Sequence, residues 1–331
     1  MTDKHVFAKG TPSLFIICSP FQALNAFEAI HKLEIKDYKF ILWLQEGDPR
    51  NNQLFRLLQE RGISYEIGHN KKYGRIWKLL RLLPKYNRYK RAFIGDYRND
   101  NLYRIAYERI SNNSCLIYLD DGGASISLLN GRRTPSQSNK LRFVRLFKSI
   151  RNVTFGRHVF THYDGVNEVG FNVYTHHFET LSFTDNRKQK GVYIIGTNPE
   201  RYAYAHDMDM NTIWAEMEKI LQMIKRMHPN KTIIYVPHGR DTFPNMEEMC
   251  NKIGIIFKKA NISVELLLLE MADSPETVYG FNSSALYSIK KMMPHTEVIT
   301  LLYTRPYKLH DNYISIADYY QKNGIEVIDL Q

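Results

Sequence analysis

Residues 115–129 read CLIYLDDGGASISLL: an apolar run from Cys115 to Leu119, adjacent carboxylates at Asp120 and Asp121, glycines at Gly122 and Gly123, then a second apolar stretch. A short apolar run that stops at acids and glycines is a buried strand ending in a loop. The same form recurs upstream. SLFIICS precedes FQALNAFEAIHKL, YKFILWL precedes NNQLFRLLQERG, and RAFIGD precedes NLYRIAYERISNN. Strands alternating with amphipathic helices are βαβ units, and they predict a parallel sheet with helices on both faces.

The alternation pauses at TDNRKQKG, Thr184 to Gly191, which reads as a polar linker. It restarts with VYIIGT, a helix over about 211–227 with Ile213, Met217, Ile220, Leu221 and Ile224 on one face, and TIIYVPHG, TVYGFNSSALYSIKKM and EVITLLY beyond it. The expected fold class is therefore α/β, with two Rossmann-like domains, 1–185 and 186–331. Two such domains face each other across a central cleft at the carboxyl ends of their strands, where open parallel sheets bind ligands. A chain of 331 residues, 44% of them hydrophobic, has enough apolar surface for two cores.

Three cysteines without a CxxC pair fit a reduced cytoplasmic setting, and no uncharged apolar run approaches the roughly 20 residues of a membrane span. A formal net charge of +11 points to an anionic partner. The charge is concentrated: Lys71 to Phe93 carries nine Lys or Arg and no acid, with Ile76, Leu79, Leu80 and Leu83 at helical spacing, and Lys140 to Arg157 has the same character. Such helices lie on anionic membranes; a core-packed helix with a solvated basic face is the alternative.

Residues placed just after strands carry the candidate chemistry. Successive side chains at a strand end point to opposite faces, so Asp121 can face the cleft while Asp120 orients it from behind, and Gly122 and Gly123 let the backbone turn close to a ligand. A solvated Asp-Asp-Gly-Gly turn is the plain alternative. His238, between Pro237 and Gly239 and near Arg240, can hydrogen-bond and protonate a departing phosphate. Ser283 and Ser284 open a helix, either as an ordinary N-cap or as a phosphate site. Asp207-Met208-Asp209 spells DxD but precedes a helix start, where acids complement the macrodipole. His158 and His162 stand four apart and His176 and His177 are adjacent, yet neither pair has a third ligand at metal spacing, so no metal is expected. The motifs of P-loop, dinucleotide-binding and α/β-hydrolase proteins are absent from the sequence.

An acidic pair with glycine, then a strand ending in histidine, then Ser-Ser opening a helix, in that order, resembles the bacterial sialyltransferases of glycosyltransferase families 52, 80 and 38. Their D/E-D/E-G, HP and serine motifs correspond to YLDDGG (Tyr118 to Gly123), PHGR (Pro237 to Arg240) and NSSALYS (Asn282 to Ser288). Gly196 and Thr197 after VYII, Glu265 in SVELLL, and the N-terminal SPFQALNAFEAI extend the likeness. One departure stands out: Gly239 occupies the place of the motif's proline. The resemblance implies a GT-B arrangement and an inverting transfer from CMP-sialic acid to a sugar, galactose above all, of a lipo-oligosaccharide or surface polysaccharide. It implies Asp121 as base and His238 as the group meeting the leaving phosphate. Donor contacts would come from Gly122, Gly196, Thr197, Gly239, Arg240, Glu265, Asn282, Ser283 and Ser284, and acceptor-side contacts from Ser19, Pro20, Gln22 and Asn25. Crowding by Asp120 would raise the basicity of the acid pair.

CMP-sialic acid carries a single phosphodiester, so neither a metal nor another cofactor is expected. The resemblance also suggests a homodimer; with the basic segments it suggests a cytoplasmic enzyme peripheral to the inner face of the inner membrane, with an oligosaccharide or glycolipid acceptor. Competing readings are a transferase for another CMP-linked keto sugar such as Kdo, and a non-catalytic basic protein binding membrane or nucleic acid. No RNA- or DNA-binding module is legible, so nucleic acid is not expected as a partner.

Overall fold

A computed structural model describes residues 6–68, 87–131, 153, 158–166, 169–181, 187–239, 245–303 and 311–330. Most of both basic segments, the first residues of the polar linker, and Arg240 lie outside the described residues. The chain divides into two compact units, Met1–Thr180 and Leu181–Gln331.

The first unit holds a seven-stranded sheet of β1 (Ser13–Ile17), β2 (Tyr38–Leu42), β3 (Tyr65–Ile67), β4 (Arg91–Ile94), β5 (Cys115–Leu119), β6 (His158–Thr161) and β7 (Asn172–Thr175). Their order is β3-β2-β1-β4-β5-β6-β7, and every pairing is parallel. Each residue of β1, β4 and β5 is buried, as strands covered on both faces must be. Phe15 stacks on Phe40 at 5.1 Å and on Phe93 at 4.7 Å, joining β2, β1 and β4 on one face. Arg91 is wholly buried at the start of β4, where it donates to the carbonyls of Val6, Ala8 and Thr11 and to Ser13 Oγ. Those bonds satisfy a guanidinium that would otherwise be costly to bury, and they fasten the segment before β1 to the sheet.

The second unit holds a six-stranded sheet of β8 (Val192–Ile195), β9 (Ile233–Val236), β10 (Ile256–Phe257), β11 (Thr277–Gly280), β12 (Glu297–Leu302) and β13 (Glu326–Asp329). Its order, β10-β9-β8-β11-β12-β13, is again all parallel and is the doubly wound order of nucleotide-binding sheets. The helix Met210–Met227 buries Ile213, Met217, Ile220, Leu221 and Ile224, the face its spacing predicts, against Val192, Ile194, Ile233 and Tyr235. The α/β class with two Rossmann-like domains is thus what the chain forms.

In both sheets the first strand lies between the second and the fourth, and the strand order reverses there. That reversal opens a crevice at the carboxyl ends of β1 and β4 in one unit, and of β8 and β11 in the other.

Candidate active site

In the first unit, the loops after β1, β4 and β5 meet around Asp121. The helix Pro20–Lys32 starts directly after β1, capped by Ser19, whose Oγ accepts from the Gln22 amide, with Pro20 opening the helix where no N–H is needed. Capping fixes the first turn and so aims Gln22. Its Oε1 accepts from the Cys18 amide at 2.7 Å, and its Nε2 donates to Asp121 Oδ1 at 2.9 Å. A Cβ at position 95 would lie 2.1 Å from Gln22 Oε1, so only glycine leaves room for this side chain. The other Asp121 oxygen pairs with Arg98, whose Nε also bonds Asp96 Oδ1 at 2.8 Å. Behind it, the Asp121 amide donates to Ser125 Oγ, and Gly122 takes φ 64° and ψ −145°, a conformation open essentially to glycine alone.

Asp120 points the other way and is wholly buried. Thr161 Oγ1 donates to its Oδ1 at 2.6 Å, and the His162 amide and ring Nδ1 lie 2.7 and 2.6 Å from its Oδ2. Burial works to raise this carboxyl, but neighbouring His162 and the hydrogen bonds from His162 and Thr161 outweigh it and hold the group below the ordinary range. The expected upward push on the acid pair is therefore corrected at Asp120, because three donors have taken the place of water. Asn25 is corrected as well. It is wholly buried, donates to the Phe21 carbonyl and meets His176 Nε2 at 2.8 Å, so it braces the network and cannot touch an acceptor.

Asp120, His162 and His176 bring metal-type ligand atoms within 4.8 Å of one another, a grouping that the sequence spacing of the histidines does not reveal. Hydrogen bonds already engage both Asp120 oxygens and His176 Nε2. Since Asn25 Nδ2 donates elsewhere, its Oδ1 accepts, and His176 must carry its proton on Nε2. Burial, helped by neighbouring His162, pushes the His176 imidazole down to about 3, so it is neutral.

A second acidic pair lies next to this network. Glu28 Oε1 accepts from both the amide and the hydroxyl of Thr180, and Glu28, His176 and Glu179 gather within 4.8 Å. Burial pushes Glu28 up to about 7, while Glu179, bonded to Lys32, is held down to about 2 despite its own partial burial. A Glu28 that releases its proton near 4.5 when unfolded and near 7 when folded costs stability as pH rises between those values. Glu179 runs oppositely, giving stability above its ordinary value that is lost as pH falls toward 2. Glu28→Gln keeps the acceptor for Thr180 and supplies a permanent donor toward Glu179. Its melting temperature should exceed that of the unmodified protein by a few degrees at pH 8 and show no such gain at pH 4, as thermal scans at the two pH values would report.

In the second unit the motif residues fall on loops after neighbouring strands. Gly196 follows β8 and its amide donates to the Val236 carbonyl at 2.8 Å, drawing this loop to the end of β9. Thr197 precedes Asn198, which caps the helix Pro199–His206. His238 lies just beyond β9, half-buried, and Gly239 beside it is exposed. After β11, Asn282 takes a left-handed φ of 53° with its amide on Thr300 Oγ1; Ser283 caps the helix Ser284–Met292, and its carbonyl accepts from Tyr320. Since β9, β8 and β11 are adjacent, the Gly196, His238 and Ser283 loops line one end of the sheet at its switch point. Glu265 is buried in the first turn of the helix Val264–Glu270.

Asp209 of the DxD accepts from the amides of Asn211 and Thr212 as the N-cap of Met210–Met227, and Asp207 ends the preceding helix with φ 54°. Sequence reasoning missed Arg98 and Thr161 at the acid pair, and weighed His162 and His176 only as metal ligands. RAFIGDYR has the same strand-to-loop form as the other motifs, and that signal could have found Arg98.

No protein-family model and no curated protein matches the chain. Among solved structures it is similar to MurG from Acinetobacter baumannii, with 8% identity over 96% of this chain and 86% of that one, at a TM-score of 0.45. It is also similar to a glycosyltransferase from Rickettsia africae, with 10% identity over 88% and 79% at 0.47. A family 9 glycosyl transferase from Veillonella parvula gives 8% identity over 98% and 87% at 0.42. No residue role is carried over from them.

Proposed function

We propose that the chain is an inverting, metal-independent glycosyltransferase that moves sialic acid from CMP-sialic acid to a terminal galactose of a bacterial lipo-oligosaccharide or surface polysaccharide. One observation carries this reading: the motifs shared in order with bacterial sialyltransferases all fall where strands release their chain. The acid pair follows β5 in the first unit, and Gly196-Thr197, His238 and Asn282-Ser283-Ser284 follow three adjacent strands of the second.

In this reaction Asp121 takes the proton of an acceptor hydroxyl as the hydroxyl oxygen bonds to the anomeric carbon. The bond from that carbon to the phosphate oxygen breaks on the opposite side, and CMP leaves with the electron pair. His238 donates a hydrogen bond or proton to the departing phosphate, and Ser283 and Ser284 with the amides at their helix start share its charge. Asp120, fixed by Thr161 and His162, holds the end of β5 so that its neighbour faces outward. A single phosphodiester gives these groups one charge to meet, which supports a route without metal. Gly239 in place of the motif's proline favours keeping a second donor, CMP-Kdo, in view.

The basic amphipathic segments support a cytoplasmic site of action on the inner face of the inner membrane, where glycolipid acceptors are built; among the described residues no helix is long and apolar enough to cross a membrane. Incubation with CMP-sialic acid or CMP-Kdo and a panel of galactosides, with and without EDTA, tests the proposal through release of CMP. The expected result is acceptor-dependent release from CMP-sialic acid that survives chelation.

A further inference from the structure

We propose that Arg98 is a positioning residue for Asp121, a guanidinium placed by Asp96 that holds one carboxylate oxygen opposite Gln22 and keeps the carboxylate ionised. Its catalytic meaning rests on the function proposed above, but the geometry stands without it.

The arrangement differs from a chance surface pair in how each partner is held. Arg98 bonds Asp96 through Nε and Asp121 through Nη2, so one acid fixes the guanidinium that the other uses. The Arg98 amide also donates to Asp96 Oδ1 at 3.0 Å, and its guanidinium lies 5.7 Å from the ring centre of Tyr97. Tyr97 is itself locked, its hydroxyl donating to the Ala124 carbonyl and its carbonyl accepting from Tyr103. The loop after β4 is thereby tied to the helix that begins after the acid pair. Across Asp121, Gln22 is almost wholly buried and fastened to the Cys18 amide. One donor is rigid and neutral, the other placed and charged, and they engage different oxygens.

The surrounding charges favour this division of labour. Asp96 and Arg98 face Asp121 from the loop after β4. Arg50, paired with Asp48, stands near Cys18, whose thiol burial keeps protonated. Asp120 is already engaged by hydrogen bonds from Thr161 and His162. Burial works against the Arg98 charge, but Asp121 and Asp96 outweigh it and hold the guanidinium firmly protonated. Coupling between two charges is reciprocal, so the same contact favours ionised Asp121. With both oxygens anchored, the carboxylate cannot rotate, and the lone pairs left over point along a fixed direction for an incoming hydroxyl.

The test is a pH titration of the full chain carrying 13C-labelled aspartate carboxyls, with the Asp121 signal assigned through Asp121→Asn. In Arg98→Met the Asp121 midpoint should rise by about one unit or more, and Arg98→Lys, which restores the charge, should recover most of that rise. Arg98→Gln gives the same reading if the methionine variant does not fold. An unchanged midpoint in a folded Met or Gln variant overturns the proposal, as does a rise that lysine leaves undiminished. If the unmodified enzyme turns over CMP-sialic acid, the acid limb of its rate profile should move with the midpoint. If it turns over no CMP-sugar, the proposed function fails, while the titration still decides the role of Arg98.

Discussion

Asp121→Asn is expected to lower sialyl transfer by about three orders of magnitude while leaving the melting temperature near that of the unmodified protein. The size follows from the role: an amide cannot take the acceptor proton, and general-base catalysis is worth about 10²- to 10⁴-fold. The small effect on folding follows from the contacts. Gln22 and Arg98 each donate to one Asp121 oxygen, and an asparagine keeps one acceptor for one of them. With that acceptor kept by buried Gln22, Arg98 turns to solvent at modest cost, because it is partly exposed. Apparent affinity for the CMP-sugar should change little, since most of the proposed donor contacts belong to the loops after β8, β9 and β11. Steady-state rates with circular dichroism melts check both halves. A variant that transfers at near-normal rate removes Asp121 from the chemistry.

His238→Ala is expected to lower kcat by about two to three orders of magnitude, and added imidazole should restore part of the loss. The loop after β9, which carries His238, lies beside the Gly196 loop, since the Gly196 amide bonds the Val236 carbonyl. Removing the ring leaves the phosphate with the helix-start amides and serine hydroxyls alone, so departure of CMP slows more than its binding weakens. CMP affinity by calorimetry should therefore fall much less than kcat. Equal losses in the two would make His238 a binding group only.

These expectations draw on the sequence unevenly, for physical reasons. Strand ends and helix faces are local properties. CLIYL followed by two acids and two glycines marks the end of β5, and the spacing from Ile213 to Ile224 selects the buried face of Met210–Met227. That Asp209 serves the start of a helix was legible for the same reason; the structure makes it the N-cap, accepting from the next amides. The surroundings of the acid pair were not local. Asp120 meets Thr161 and His162 because β6 lies beside β5, and His176 joins them because β7 lies beside β6. Sequence spacing says nothing of such neighbours until strand order is known. Like-charge crowding was the only effect on Asp120 readable from its immediate neighbour, and it pointed the wrong way once three donors were counted. Asn25 was placed on the acceptor side only through the family resemblance, and its side chain turns inward to His176. Arg98 was within reach, since it follows β4 as Asp121 follows β5.

The most direct measurement is identification of the products formed when the full chain, treated with EDTA, is incubated with CMP-sialic acid and a galactoside. The predicted result is CMP and a sialylated galactoside in equal amounts, with the anomeric configuration of the sialic acid inverted. Absence of CMP release, retention of configuration, or transfer that appears only when a divalent metal is restored would contradict it.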